Sequence, residues 1–225
     1  MSSVKTVYLD YAASAPAREC SLEAERRYAS ADYAGANPNS LHGMGRLAAR
    51  ALDQARADLA RCLGGRFRPA EVTFTSGGTE SNNLALFGLS EGARERDRKR
   101  TKVIVSAIEH DSVLDVASPL RALGFEVVLA RPGRDGKVSC ETLEALVGTD
   151  TALVSIMYAN NETGVVQPIP ELAAVAHRSG ALFHTDAVQG FGRIPLDLSM
   201  VDAVSCAASG SRPTGAAPMS VGSIS

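Results

Sequence analysis

Lys102–Ile108 reads KVIVSAI, a near-continuous apolar run bounded by a basic stretch before it and by Glu109-His110 after it. A run this short and this apolar suits a strand buried on both faces. Similar runs lie on either side of it: Glu71–Ser76 (EVTFTS), Glu126–Arg131, Thr151–Tyr158 (TALVSIMY), Ala181–Asp186 and Asp202–Ala207. Helical segments separate them, from about Thr79, from His110 through Leu123, over Glu141–Val147 and over Ile169–Arg178. Strands alternating with helices predict an α/β fold, a mostly parallel sheet with helices on both faces. Upstream, Val7–Tyr11 reads as extended, Pro16 closes a turn, and Glu19–Ala31 reads as a helix. Asp32–His42 is a loop marked by Gly35, Asn37, Pro38 and Asn39. Gly43–Leu63 has apolar residues at helical spacing (Leu47, Ala51, Leu52, Ala55, Leu59, Leu63), and Gly64-Gly65 stops it.

The 225 residues hold 23 Lys plus Arg against 25 Asp plus Glu, a net charge of −2. That balance excludes a general pull toward nucleic acid or an anionic membrane. The basic stretch Arg94–Lys102 reads as a solvated helix end. Hydrophobic residues at 45% and charged residues at 21% argue for a packed core over disorder. No apolar stretch approaches the roughly 20 residues of a membrane-spanning helix, and Met1–Asp10 lacks the apolar segment of a secretory signal. Cys20, Cys62, Cys140 and Cys206 are scattered, with no metal-ligand spacing. A cytoplasmic protein with reduced thiols and no bound metal is the expectation. The tail, Cys206–Ser225 (CAASGSRPTGAAPMSVGSIS), shifts to Ser, Gly, Ala and Pro without period. It reads as a divergent, disordered segment following a partial domain over residues 1–205.

Open parallel sheets bind ligands beyond the carboxyl ends of their strands. Four such ends carry polar residues: Gly77-Gly78-Thr79-Glu80-Ser81-Asn82-Asn83, then Glu109-His110, then Asn160–Gly164, then Asp186 with Gln189. The Gly-Gly-Thr turn at a helix start suits a phosphate, though taken alone it is equally a tight turn with a Thr cap. Asp186 ends a buried strand and needs a partner, either a protonated ring nitrogen or a structural ion pair. His110 can stack on a flat ring or move protons, or serve structure alone. Asn161 can donate to a ring substituent or simply belong to a turn, and Gln189 can reach the same ligand or lie in a surface loop. His42, His177 and His184 read as structural. Together the four segments describe a site for a phosphorylated, flat cofactor with a cationic ring. Pyridoxal phosphate (PLP) matches that description.

The sequence resembles the cysteine desulfurases of the NifS/IscS type, in the class V aminotransferase group of fold-type I PLP enzymes. The resemblance rests on Tyr8–Ala13 (YLDYAA), Asn37–His42 (NPNSLH), Thr75–Asn83 (TSGGTESNN), Glu109-His110, Asn160–Gly164 (NNETG) and His184–Gln189 (HTDAVQ). It implies that Gly78 and Thr79 hold the PLP phosphate. His110 stacks on the ring and takes part in catalysis, Asn161 and Gln189 bond the region of the phenolic oxygen, and Asp186 pairs with the pyridine nitrogen. It implies L-cysteine as substrate, L-alanine as product with sulfur passed to an enzyme thiol, a homodimer and a sulfur-acceptor protein as partner.

The family continues past the position of Asp202 with Ser-x-His-Lys and Gly-Pro-x-Gly, the lysine forming the Schiff base with PLP. Here Ser209-Gly210-Ser211-Arg212 or, read back from Pro218, Pro213-Thr214 stands there, and no lysine follows Lys137. Arginine stays protonated and cannot serve as that amine. The region with the persulfide cysteine and the small C-terminal domain has no counterpart among the 225 residues. The expectation is therefore an incomplete fold-type I large domain, related to desulfurases and inactive as written. Selenocysteine lyase shares most of these motifs and is the alternative within the enzyme class. A non-catalytic partner module, or a remnant with an unfinished sheet, is the alternative outside it.

Overall fold

A computed structural model describes residues 7–9, 16–64, 66–207 and 220–223. Seven strands form one sheet: β1 (Val72–Thr75), β2 (Lys102–Ser106), β3 (Glu126–Ala130), β4 (Thr151–Ser155), β5 (Leu182–Asp186), β6 (Ala203–Ala207) and β7 (Ser220–Ser223), in the order β1-β7-β6-β5-β4-β2-β3. The pairings from β3 through β6 are parallel, as expected. β7 is antiparallel to both neighbours, so β1 runs in the same sense as β6. The carboxyl ends of β1, β2, β4 and β5 therefore share one edge of the sheet.

β6 closes at Ala207 as the strand reading of Asp202–Ala207 expects, and the tail departs from its reading near its far end. There Ser220–Ser223 fills the gap between β6 and β1. The sheet is not left open there. Residues of small volume with one β-branched member gave no strand signal, and only pairing on both sides makes that segment a strand. The rest of the expected disordered tail, including Ser209–Thr214, lies outside the described residues, as do Asp10–Ala13 of the first motif.

Helices cover both faces. α3 (Gly78–Arg96), α4 (Asp111–Leu114) and α5 (Ala117–Ala122) pack on one, bringing Leu86, Leu89, Val113 and Leu120 against Val103, Val105, Leu153 and Ala203. α2 (Gly43–Cys62), α6 (Cys140–Glu144) and α7 (Ile169–Arg178) lie on the other, where Ala60, Leu143, Leu172 and Ala176 meet Ile104, Val154, Phe183 and Val204. All five residues of β4 are buried, which is why its sequence shows no alternation. α1 (Glu19–Ala29) buries none of its residues.

Boundaries shift by a few residues. The helix expected through Leu123 is split in two at Asp115-Val116. β4 stops at Ser155 although Ile156 and Tyr158 still donate to β5 carbonyls, because β2 has already turned away. The histidines read as structural behave so. His184, fully buried, lies between Ser155 Oγ (2.8 Å) and Ser205 Oγ (2.9 Å), and burial pushes it down to about 3, so it stays neutral. His177 meets Asp202 at 2.7 Å, and His42 Nδ1 accepts from Gly45 N at the start of α2. The basic stretch is partly structural too: Arg94 stacks on Phe125 and Arg100 donates to Thr151 O. Among the described residues no helix is long and apolar enough to cross a membrane.

Candidate functional site

The shared strand edge carries a cleft of about 490 Å³ lined by Gly78, Thr79, Asn82, His110, Ser112, Met157, Asn161, Asp186, Val188, Gln189 and Ala207. All six residues singled out from the sequence reach it, from four separate strand ends.

Gly78 and Thr79 enter at the first turn of α3. First-turn amides have no intrahelical acceptor. With the helix dipole, they favour an anion. A Cβ built on Gly78 would stand 3.3 Å from Val188 Cγ2, so glycine lets α3 approach the loop after β5.

Asp186 forms the floor at the end of β5, 4% exposed. Its Oδ1 accepts from Val188 N (2.9 Å) and its Oδ2 from Asn82 Nδ2 (2.7 Å). Burial pushes its carboxyl above the usual range, against the pull of these two donors and of the His110 imidazole. Among the described residues no lysine or arginine pairs with it. A buried carboxylate with neutral donors only is a receptor for a cation brought by a ligand.

His110 follows β2 and caps α4, its Nδ1 accepting from Ser112 N at 3.0 Å and lying 2.9 Å from Ser112 Oγ. An Nδ1 that accepts leaves Nε2 as the protonated nitrogen of the neutral ring. Asn82 Nδ2 also donates to Ser112 Oγ (2.9 Å), so Asn82 and Ser112 link Asp186 to His110. Sequence reasoning missed both residues. The available signal was helical spacing, since Asn82 lies three and four residues after Thr79 and Gly78 and shares their face of α3.

Asn160 holds its turn with its own side chain, Oδ1 accepting from Glu162 N and Thr163 N, and Gly164 closes it at φ +72°. Asn161, in the same turn, is exposed at the cleft. Gln189 also lines the cleft, its Oε1 accepting from Arg193 at 2.5 Å.

A family model of the class-V aminotransferases matches residues 7–223. The chain belongs to the class-V aminotransferase family. Within it, the chain is 40% identical over 194 residues to the cysteine desulfurase IscS of Dictyoglomus turgidum, covering 86% of this chain and 48% of that one. It is 38% identical over 195 residues to a putative cysteine desulfurase IscS 1 of Bacillus subtilis, covering 87% and 50%. The solved structure of SspA in complex with cysteine superposes with a TM-score of 0.84 at 35% identity, over 97% of this chain and 61% of that one. A NifS-like protein does so with a TM-score of 0.84 at 36% identity, over 97% and 58%. The class-V chain described here thus spans about half the length of the curated relatives it matches.

Proposed function

We propose that this chain binds PLP in the cleft through non-covalent contacts and takes L-cysteine as its amino acid, without completing desulfuration. The buried Asp186, satisfied by neutral donors and with no lysine or arginine paired to it among the described residues, carries this reading. The cleft fits the cofactor that the family implies: a glycine-bearing helix start for a phosphate, a buried carboxyl for a ring nitrogen, and an imidazole on the wall. Gly78 and Thr79 would hold the phosphate, His110 would lie against the ring, and Asn161 and Gln189 would bond the side bearing the phenolic oxygen. Bound there, PLP supplies an electron sink for an amino acid. Asp186 keeps the ring nitrogen protonated, and Asn82 and Ser112 hold Asp186 and His110 in fixed relation. His110 Nε2 is the proton-bearing atom available on the wall.

The attachment lysine separates this chain from a working desulfurase. No lysine follows Lys137, so no side-chain amine is supplied from the segment where the resemblance expects one. Pairing with a second copy belongs to the same proposal.

The test is spectroscopic titration of the purified chain with PLP, then borohydride reduction, mass analysis and an alanine assay with L-cysteine and with L-selenocysteine. Saturable binding, no covalent adduct after reduction and no alanine from either amino acid is the expected result. Alanine formation abolished by Asp186→Ala would show a competent enzyme, and absence of saturable binding would remove the cofactor reading altogether.

A further inference from the structure

Among the described residues the buried acids are Asp186 and Glu109, and Glu109 has no part in the proposal above. It lies three residues past β2 and one before His110. Beyond β4, Ile156 N and Tyr158 N donate to the His184 and Asp186 carbonyls of β5 (3.1 and 2.8 Å). The amide between them, Met157 N, points the other way, toward β2. The chain has already left β2 for α4 at that level, so no ladder carbonyl remains. Glu109 Oε1 takes the place of one, accepting from Met157 N at 2.6 Å, with Ser106 Oγ donating to the same oxygen. Asn160 Nδ2 adds a second tie, to Ile108 O at 2.9 Å. These bonds join the segments that carry His110 and Met157, both of which line the cleft.

A peg of this kind needs one acceptor oxygen. Glu109 brings a second, Oε2, which is buried with no partner among the described residues, and no basic side chain balances the group. The groups around it are few. Asp186 faces it from β5, β2 supplies Ser106 and the continuation of β4 supplies Met157, neither of which titrates. His110 adjoins it in sequence, and Asp111 and Glu162 are exposed on the rim of the small cleft that Glu109 also borders. Burial, with the charge of Asp186 adding to it, pushes the Glu109 carboxyl up to about 8. Burial raises both carboxyls, but Asp186 has a donor on each oxygen whereas Glu109 leaves one oxygen without a partner among the described residues.

We propose that Glu109 is a positioning residue for the cofactor: an acid that keeps its proton, pegs the turn after β2 to Met157, and so fixes His110 while Asp186 provides the anion. This rests on the PLP reading of the cleft. Removing the side chain leaves the Met157 amide and the Ser106 hydroxyl without their acceptor, so the wall loosens. Glutamine keeps the acceptor oxygen and cannot ionise.

The experiment is equilibrium dialysis of PLP against the wild-type chain, Glu109→Gln and Glu109→Ala from about pH 6.5 to 9.5, spanning the titration of an acid raised by burial. At the acid end Glu109→Ala should bind about tenfold more weakly, and Glu109→Gln within about twofold of wild type. Titrations of PLP itself are common to both proteins, so the ratio of wild-type to Glu109→Gln affinity isolates Glu109. That ratio should fall as pH rises through about 8, where a second buried anion forms beside Asp186. A constant ratio, or a glutamine variant as weak as the alanine one, overturns the proposal even if the alanine variant does not fold. Tight binding by both wild type and Glu109→Ala overturns it alone, whereas no binding by wild type overturns the cofactor reading and this proposal together.

Discussion

The end of β5 and the turn after β2 each present a buried acid to the same edge of the sheet, and the surroundings treat the two differently. Asp186 has a donor on each oxygen, and these work against the burial that pushes its carboxyl up. Glu109 has both its donors on one oxygen, nothing on the other, and a neighbouring carboxylate that opposes ionisation. Donor placement, more than depth of burial, thus separates a ligand-receiving anion from an uncharged peg. One strand end is built to accept a cation, and the other to keep a wall in place.

The largest effects should appear in stability against pH. The folded-state value of Glu109 lies near 8, above its unfolded value near 4.5, so its contribution is fully present below about pH 4.5 and is lost as pH rises through about 8. His184 works with the opposite sign. Its folded value near 3 lies below 6.5, so its contribution is present above about pH 6.5 and is lost as pH falls toward 3. Each limb should amount to a few kcal/mol, on the order of a few pKa units. Urea unfolding across pH should show a dome, with Glu109→Gln flattening the alkaline limb and leaving the acid limb intact. A wild-type profile rising steadily from pH 5 to 9 would contradict the Glu109 assignment, and one unchanged between pH 3 and 6.5 in Glu109→Gln would contradict that of His184.

Next in size is cofactor affinity. Asp186→Ala should weaken PLP binding by about a hundredfold or more, since a desolvated charge pair loses one partner. Comparing it with Glu109→Ala in the same titration sharpens the contrast: equal losses at the two strand ends would erase it. Asn82→Ala should cost about tenfold, because Asp186 Oδ2 and Ser112 Oγ both lose their donor. Far from both acids, Arg178→Ala removes an exposed ion pair with Glu144. It should change unfolding free energy by less than about 0.5 kcal/mol and leave PLP affinity untouched.

Much of this edge was legible beforehand. Gly78, Thr79, His110, Asn161, Asp186 and Gln189 each follow a strand that apolar patterning reveals, and parallel topology sends such residues to one side. Asn82 and Ser112 were not legible, because a buried asparagine and a buried serine on helices look like any polar helix residues until the tertiary fold turns them inward. The strand at Ser220–Ser223 was missed for a related reason. Its sequence lacks the apolar period of the other strands, and its conformation comes from two neighbours whose edges it joins.

By itself, the sequence determined the alternation of strands and helices, the parallel core of the sheet, and the motifs that place the chain among class-V aminotransferases. Those depend on hydrophobic period and turn chemistry, which are local and readable along the chain. Tertiary structure alone decided that Glu109 meets Met157, that Asn82 bridges Asp186 and Ser112, and that β7 seals the sheet beside β1. Each of these depends on residues tens of positions apart coming within hydrogen-bond distance, and on the desolvation that follows. Burial and donor geometry set the charge of an acid, and neither is written in the residues beside it.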